Sequence, residues 1–195
     1  GGGGCGRGGH RDQKGKHVPT PLQEIRVRSV VCGAINTSAL GWPVMRSGAV
    51  ASAGRPSLYS WGRVKGPTQN AWMYPQTEDD LRGWDIHAIS SGHVHTFVSA
   101  DDSVISWGVG TTSGELGFGV NGAKSSARPK KVDSLESVKV TQVACGYAHT
   151  LLLAEAQAVT DKFPEWKPKA GAMPASTKRA SGAAASGAKA KKGRK

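Results

Sequence analysis

His93, His95 and His149 are the side chains of this sequence best suited to chemistry, because imidazoles ligate metals and carry protons near neutral pH. His93 and His95 are two apart and would share one face of a strand, but no third ligand stands near them in sequence. Asp101, Asp102 and Glu115 are the carboxylates that acid–base hydrolysis would use. Glycoside cleavage needs a pair held across a cleft. Two adjacent aspartates instead suit a tight turn, and Glu115 lies in a glycine-rich run where it can bond to backbone groups. Residues 1–9, GGGGCGRGG, look like a phosphate cradle, yet no strand precedes them and no Gly-Lys-Ser/Thr follows, so a flexible or truncated start is the simpler reading. Cys5, Cys32 and Cys145 are odd in number and far apart, with no CxxC pair, which gives neither a disulfide scaffold nor a zinc site and fits a reducing compartment. The sequence therefore assigns no catalytic, cofactor-binding or metal-ligating residue, and it predicts a protein that is not an enzyme.

The elements that would position these groups recur along the chain. Val30-Val31-Cys32-Gly33-Ala34-Ile35-Asn36-Thr37 aligns with Ile89-Ser90-Ser91-Gly92-His93-Val94-His95-Thr96, and again with Val143-Ala144-Cys145-Gly146-Tyr147-Ala148-His149-Thr150. A second element, Tyr59-Ser60-Trp61-Gly62, returns as Ile105-Ser106-Trp107-Gly108. Between them, His95-Thr96-Phe97-Val98-Ser99 and Val104-Ile105-Ser106-Trp107 are short runs of strand formers joined by Ala100-Asp101-Asp102-Ser103, which predicts a hairpin. Apolar residues fall on both faces of these strands, as in a small sheet covered on both sides by neighbouring sheets.

A glycine-rich connection follows, GVGTTSGELGFG, in which Gly114 and Gly117 turn the chain and Leu116 and Phe118 anchor it. Residues 124–129 then read as a polar loop, and 132–143 lead into the next strand, with another near 149–153. Residues 41–57 break the pattern. Gly33 and Trp61 are 28 apart where Gly92 and Trp107 are 15 apart, so this stretch is either a loop insertion or a damaged unit. Trp61 and Trp107 occupy matching positions and read as packing between units, whereas Trp72, Trp84 and Trp166 lie outside the repeated frame and are weaker candidates for partner contacts against a reading as local core. Phe163 and Trp166 are candidate anchors of a closing strap.

Net charge is +12, and residues 162–195 hold eight Lys, two Arg and one Glu, so this stretch carries +9 and the rest +3. Beyond residue 169 nothing large and apolar remains apart from one Met, which predicts a disordered basic tail. Its charges, Lys169, Lys178, Arg179, Lys189, Lys191, Lys192, Arg194 and Lys195, have no aromatic among them, so they suit a polyanion backbone such as DNA or the acidic surface of microtubules. Residues 189–195 also read as a nuclear import signal. No run of 18 apolar residues exists and no signal-peptide core opens the chain, which predicts a soluble intracellular protein with no membrane partner.

The repeated Cys/Ser-Gly-x-x-His-Thr, the aliphatic-Ser-Trp-Gly and Gly114-Glu115-Leu116-Gly117-Phe118-Gly119 together resemble the regulator-of-chromosome-condensation repeat. The likeness is sharpest to the mitotic, telophase-disk branch of that family. It runs through Trp72-Met73-Tyr74-Pro75, Leu81-Arg82-Gly83-Trp84, Gly146-Tyr147-Ala148-His149 and Pro164-Glu165-Trp166. The resemblance implies an all-β fold: a partial β-propeller of about two and a half repeats of a seven-bladed type, similar to the C-terminal third of a family member. Residues 1–57 would form a glycine-rich start and a degenerate repeat, 58–168 the blades and closing strap, and 169–195 the tail. Within the family pattern Cys32, Gly33, Trp61, Gly62, Gly92, His95, Trp107, Gly108, Gly114, Leu116, Gly117, Cys145, Gly146 and His149 are structural, the histidines satisfying buried backbone groups at a blade turn. The implied role is a non-catalytic scaffold of mitosis and chromosome regulation that binds chromatin, microtubules or small GTPases, in the nucleus, on mitotic chromosomes and spindle, with the cytoplasm as a further compartment. The alternatives are a guanine-nucleotide exchange regulator of small GTPases or a nonfunctional fragment of one. The family's exchange wedge lies in an earlier blade, so no exchange residue carries over. The missing propeller blades are themselves expected partners.

Overall fold

The computed structural model describes residues 21–45, 47–50, 54–64 and 71–167. Two compact units are present, Gly1–Phe163 and Pro164–Lys195. The first is built of antiparallel strands. β1 (Ile25–Cys32), β2 (Asn36–Pro43), β3 (Ser57–Gly62) and β4 (Trp72–Thr77) form one four-stranded sheet in chain order. A second sheet repeats this with β5 (Ile86–Ser91), β6 (His95–Ala100), β7 (Ser103–Gly108) and β8 (Ser126–Lys131). β9 (Val140–Cys145) and β10 (Thr150–Ala154) pair as a two-stranded sheet and lead into a short helix, α1 (Ala156–Thr160). Four, four and two strands are a partial propeller, as the repeats imply. No helix among the described residues is long and apolar enough to cross a membrane.

The β6–β7 hairpin shows how the sequence produces a blade. Its register runs from His95 opposite Gly108 to Ala100 opposite Ser103, which leaves Asp101 and Asp102 as the turn. Asp101 takes the left-handed conformation, φ 48°, that aspartate tolerates better than most residues. Every residue of β6 is buried, because the two sides of the sheet meet different neighbours. Val98, Ala100, Ile105 and Trp107 pack with Leu40 and Leu58 of the first sheet, while Phe97 and Val104 pack with Val138 and Val140 on the way into the third.

The stretch at residues 41–57 is a loop insertion in an intact hairpin. β2 and β3 pair in unbroken register from Asn36 opposite Gly62 to Gly41 opposite Ser57. The extra chain is closed by a bridge between Val44 and Val50 and by the Trp42 indole donating to Gly54 O at 3.1 Å. The first sheet therefore crosses residue 57, where the sequence reading divides the chain.

Residues 124–129, read from sequence as a polar loop, need correction: from Ser126 onward they belong to β8. β8 pairs through its backbone with β7 on one side and is otherwise largely exposed. It therefore needs no apolar alternation, and Pro129 is tolerated there as prolines are on edge strands. β4, with Pro75, holds the same place in the first sheet. The turns after these edge strands match as well, Asp79–Leu81 and Asp133–Leu135 each forming one turn of 3₁₀ helix 54 residues apart.

The extra tryptophans divide. Trp72 packs beside Tyr59 and Trp61, and Trp84 beside the Leu81 and Trp107 cluster with Lys131 Nζ 5.2 Å from its ring centroid, so both are local core. Phe163 packs against the core of the second and third sheets. Trp166, in the second unit, is 80% exposed.

Candidate interaction surface at the repeat turns

Each sheet turns between its first two strands at a glycine, and the three turns are joined through their backbones. Ala34 N–H donates to Gly92 O at 3.2 Å, and His93 N–H donates to Gly146 O at 3.3 Å. Within each turn the glycine N–H is also tied to its own strand: Gly33 donates to Asn36 O, Gly92 to His95 O and Gly146 to His149 O. At Gly33 and Gly92 a side chain would run into the backbone of the next turn, and at Gly146 into the exposed ring of His149. A Cβ on Gly92 would lie 2.5 Å from Gly146 O, one on Gly33 2.8 Å from Gly92 O, and one on Gly146 2.3 Å from the His149 ring. Gly108 is likewise closed by Val94 O at 2.4 Å, whereas Gly62, Gly114 and Gly117 have positive φ of 89°, 84° and 72°.

The residues flanking these glycines lock one sheet to the next. His95 is 2% exposed, and its Nε2 lies 3.1 Å from the Thr150 hydroxyl of the third sheet. Its Nδ1 is buried without a hydrogen-bond partner, and the ring meets both that neighbouring hydroxyl and the backbone of His149. Cys145 N–H donates to Ser90 Oγ at 2.9 Å and its thiol to Ser90 O at 3.4 Å; burial pushes that thiol's pKa up. Cys32, the matching residue of the first sheet, is exposed. Asn36 stands buried where the other sheets have histidine, and His149, with no further sheet beside it among the described residues, is exposed. Trp61, Trp107 and Leu116 are buried, and Ser106 Oγ donates to Leu116 O at 2.8 Å, pinning the glycine-rich loop to β7.

The chemistry open to these groups is narrow. No three His, Cys, Asp or Glu among the described residues converge as metal ligands. Burial alone would raise the Glu115 pKa, but backbone N–H donors, including Ser113 at 2.7 Å, outweigh it and hold the carboxylate below its ordinary value. It is a loop clamp already occupied by its own backbone. What the turns expose is an aromatic step, with Tyr147 72% exposed and stacked on His93 at a centroid distance of 4.3 Å.

Residues 101–153, from the β6–β7 turn through most of β10, match the Regulator of chromosome condensation (RCC1) repeat. The chain belongs to the RCC1 repeat family. It is 35% identical to Protein RCC2 homolog of Danio rerio and 34% identical to Protein RCC2 of Homo sapiens, each alignment covering 86% of this chain. It spans about a third of the length of these curated relatives, 33% and 31% respectively. A further match is to E3 ubiquitin-protein ligase HERC2 of Homo sapiens, 33% identical over 75% of this chain but only 3% of that protein. Among solved structures, Prp20p of Saccharomyces cerevisiae, described with binding properties to Gsp1p and histones, superposes with a TM-score of 0.53 at 17% identity, over 80% of this chain and 39% of that one. The matched residues take in the Gly146 turn, and the Gly33 and Gly92 turns share its glycine hydrogen bond.

The buried imidazole of the second sheet should make the fold sensitive to pH. Burial pulls the His95 pKa below its ordinary 6.5, against an opposing pull from Glu115. The folded state therefore favours neutral His95. Its contribution is complete above pH 6.5 and is lost as pH falls from there through the folded-state value. Glu115, with its own pKa held down, adds a loss only below its ordinary 4.5. Urea midpoints measured from pH 7.5 to 5.5 should fall, and His95→Asn, the residue the first sheet uses, should flatten that slope. An unchanged slope would assign the dependence to other groups.

Proposed function

We propose that this chain acts as a non-catalytic RCC1-type propeller scaffold in mitosis and chromosome regulation, held on an acidic polymer by its basic terminus. The observation that carries this reading is the separation of two parts: strands packed sheet to sheet through their turns, and a stretch from residue 162 with +9 of the total +12. Lys169, Lys178, Arg179, Lys189, Lys191, Lys192, Arg194 and Lys195 lie outside the described residues, and their role rests on composition and charge. Chromatin or DNA backbone, or the microtubule surface, supplies the complementary charge. A small GTPase on the propeller rim is the second class of partner, supported by the relatives' family. Nuclear, chromosomal and spindle residence follow from the polymer bound, and cytoplasmic residence from a GTPase partner.

The test is a salt titration on duplex DNA and on microtubules. If about five to eight of these charges engage duplex DNA, log K against log salt should have a slope of roughly −4 to −7. A version ending at Pro168 should bind far more weakly with a much shallower slope. Equal affinities and equal slopes for the two would show that the terminus is not the contact.

A further inference from the structure

The turn after β4 carries side chains that its backbone does not call for. β4 and β8 are equivalent edge strands, and each passes into one turn of 3₁₀ helix, Asp79–Leu81 and Asp133–Leu135. Their backbone bonds match. Glu78 N–H donates to Leu58 O and Val132 N–H to Val104 O, both at 2.8 Å, while Arg82 N–H and Glu136 N–H close the two turns on Asp79 O and Asp133 O. Yet the second sheet makes this turn with Lys131-Val132-Asp133-Ser134-Leu135-Glu136, where the first has Thr77-Glu78-Asp79-Asp80-Leu81-Arg82. A hydroxyl followed by three carboxylates and an arginine is therefore peculiar to the first sheet, and the geometry of the turn is reached without it.

These groups face one another. The Thr77 hydroxyl donates to Asp79 Oδ1 at 3.1 Å, and Arg82 Nη2 donates to the same oxygen at 2.9 Å. The guanidinium also acts on Tyr59, which stands opposite Thr77 in β3: burial raises the tyrosine's pKa and Arg82 opposes that rise. Asp79 and Asp80 are exposed, and Thr77 is half-buried on a strand that, among the described residues, is paired on one side only. Lifting Thr77 out to a second protein thus breaks backbone bonds along a single edge, the kind of local opening that edge elements undergo most readily.

We propose that Thr77 is the phosphate acceptor for an acidophilic protein kinase, one whose basic groove reads carboxylates on the C-terminal side of the hydroxyl, and that Arg82 then holds the phosphate. Thr77 Oγ1 attacks the γ-phosphorus of magnesium-bound ATP. The Oγ1–P bond forms as the bond from that phosphorus to the β,γ-bridging oxygen breaks, ADP leaves with the electron pair, and the hydroxyl proton passes to the kinase's base. Phosphorylated Thr77 has no hydroxyl left to donate to Asp79. Its added charge of about −1.5 to −2 repels that carboxylate and draws the guanidinium, whose paired N–H groups fit phosphate oxygens. Arg82 changes partner within one turn, and the acidic corner of the first sheet becomes more acidic still. The site is independent of polyanion binding by the basic terminus.

The test treats the native full chain with casein kinase II and magnesium ATP and maps phosphate by mass spectrometry of its peptides. Phosphate is expected on Thr77 and is lost in Thr77→Val, which keeps the strand-forming shape. Asp80→Lys, at an exposed position, should slow modification of Thr77 by about tenfold or more, since a charged contact to the kinase is removed. In the phosphorylated chain, phosphorus NMR should find the second phosphate pKa shifted below its ordinary value of about 6, and Arg82→Gln should return it there. No phosphate on Thr77, phosphate there only on the urea-unfolded chain, or an unchanged rate in Asp80→Lys would overturn the site. An equal phosphate pKa with and without Arg82 would overturn the role given to the guanidinium.

Discussion

Replacing Trp107 with alanine should lower the unfolding free energy by about 3–5 kcal/mol, the range for truncating a large aromatic inside a packed core. The indole is 3% exposed and sits among Leu40 and Leu58 of the first sheet and Val98 and Ile105 of its own. Its loss therefore empties an interface between sheets, which relaxes poorly because each side is held in register by its own strand pairing. Urea denaturation followed by circular dichroism measures the change, and Trp166→Ala, at an 80% exposed position, is the control expected to stay within about 0.5 kcal/mol. A cost under about 1 kcal/mol for Trp107 would mean that the first sheet does not cover it in solution.

Gly92→Ala should be comparably damaging, by about 3 kcal/mol, although it adds only one methyl group. That methyl would sit 2.5 Å from Gly146 O and 2.6 Å from His95 Cε1, and the first of these is backbone that cannot swing aside. Relieving the contact means pulling the third sheet's turn away from the second's. This stretches the His93 N–H to Gly146 O bond and the His95 to Thr150 contact together. The same denaturation experiment reads the cost, and an NMR spectrum of the variant should place its largest shift changes at residues 146–150. Wild-type stability would show that the turns are farther apart than this geometry.

The β6–β7 hairpin was legible in the sequence because it is buried on both faces: a strand that must satisfy two neighbours carries strand formers at nearly every position. β8 was not, since Ser126–Lys131 contributes backbone bonds and little apolar surface, and a Lys- and Pro-containing edge looks like a loop. The first sheet was obscured for another reason. β2 is rich in small residues, Thr37-Ser38-Ala39, whose burial comes from close approach, including a Ser38 to Ser60 hydroxyl contact at 3.1 Å, and an inserted loop then separates it from its partner strand. At the turns, the glycines and histidines were visible as a recurring pattern. The partner of His95 was not, because Thr150 is 55 residues away and the bond exists only once two sheets stack.

The two backbone bonds between turns, from Ala34 to Gly92 and from His93 to Gly146, always run the same way, with donor on the earlier sheet and acceptor on the later. Such an array behaves as a one-dimensional chain with nearest-neighbour coupling. The middle sheet both donates and accepts, so opening it breaks two couplings at once. Because the coupling uses main-chain atoms, it does not depend on which side chains stand at Ala34, His93 and Tyr147, even where two of them also stack. The turns can thus change what they present to the outside while the spacing from one repeat to the next stays fixed.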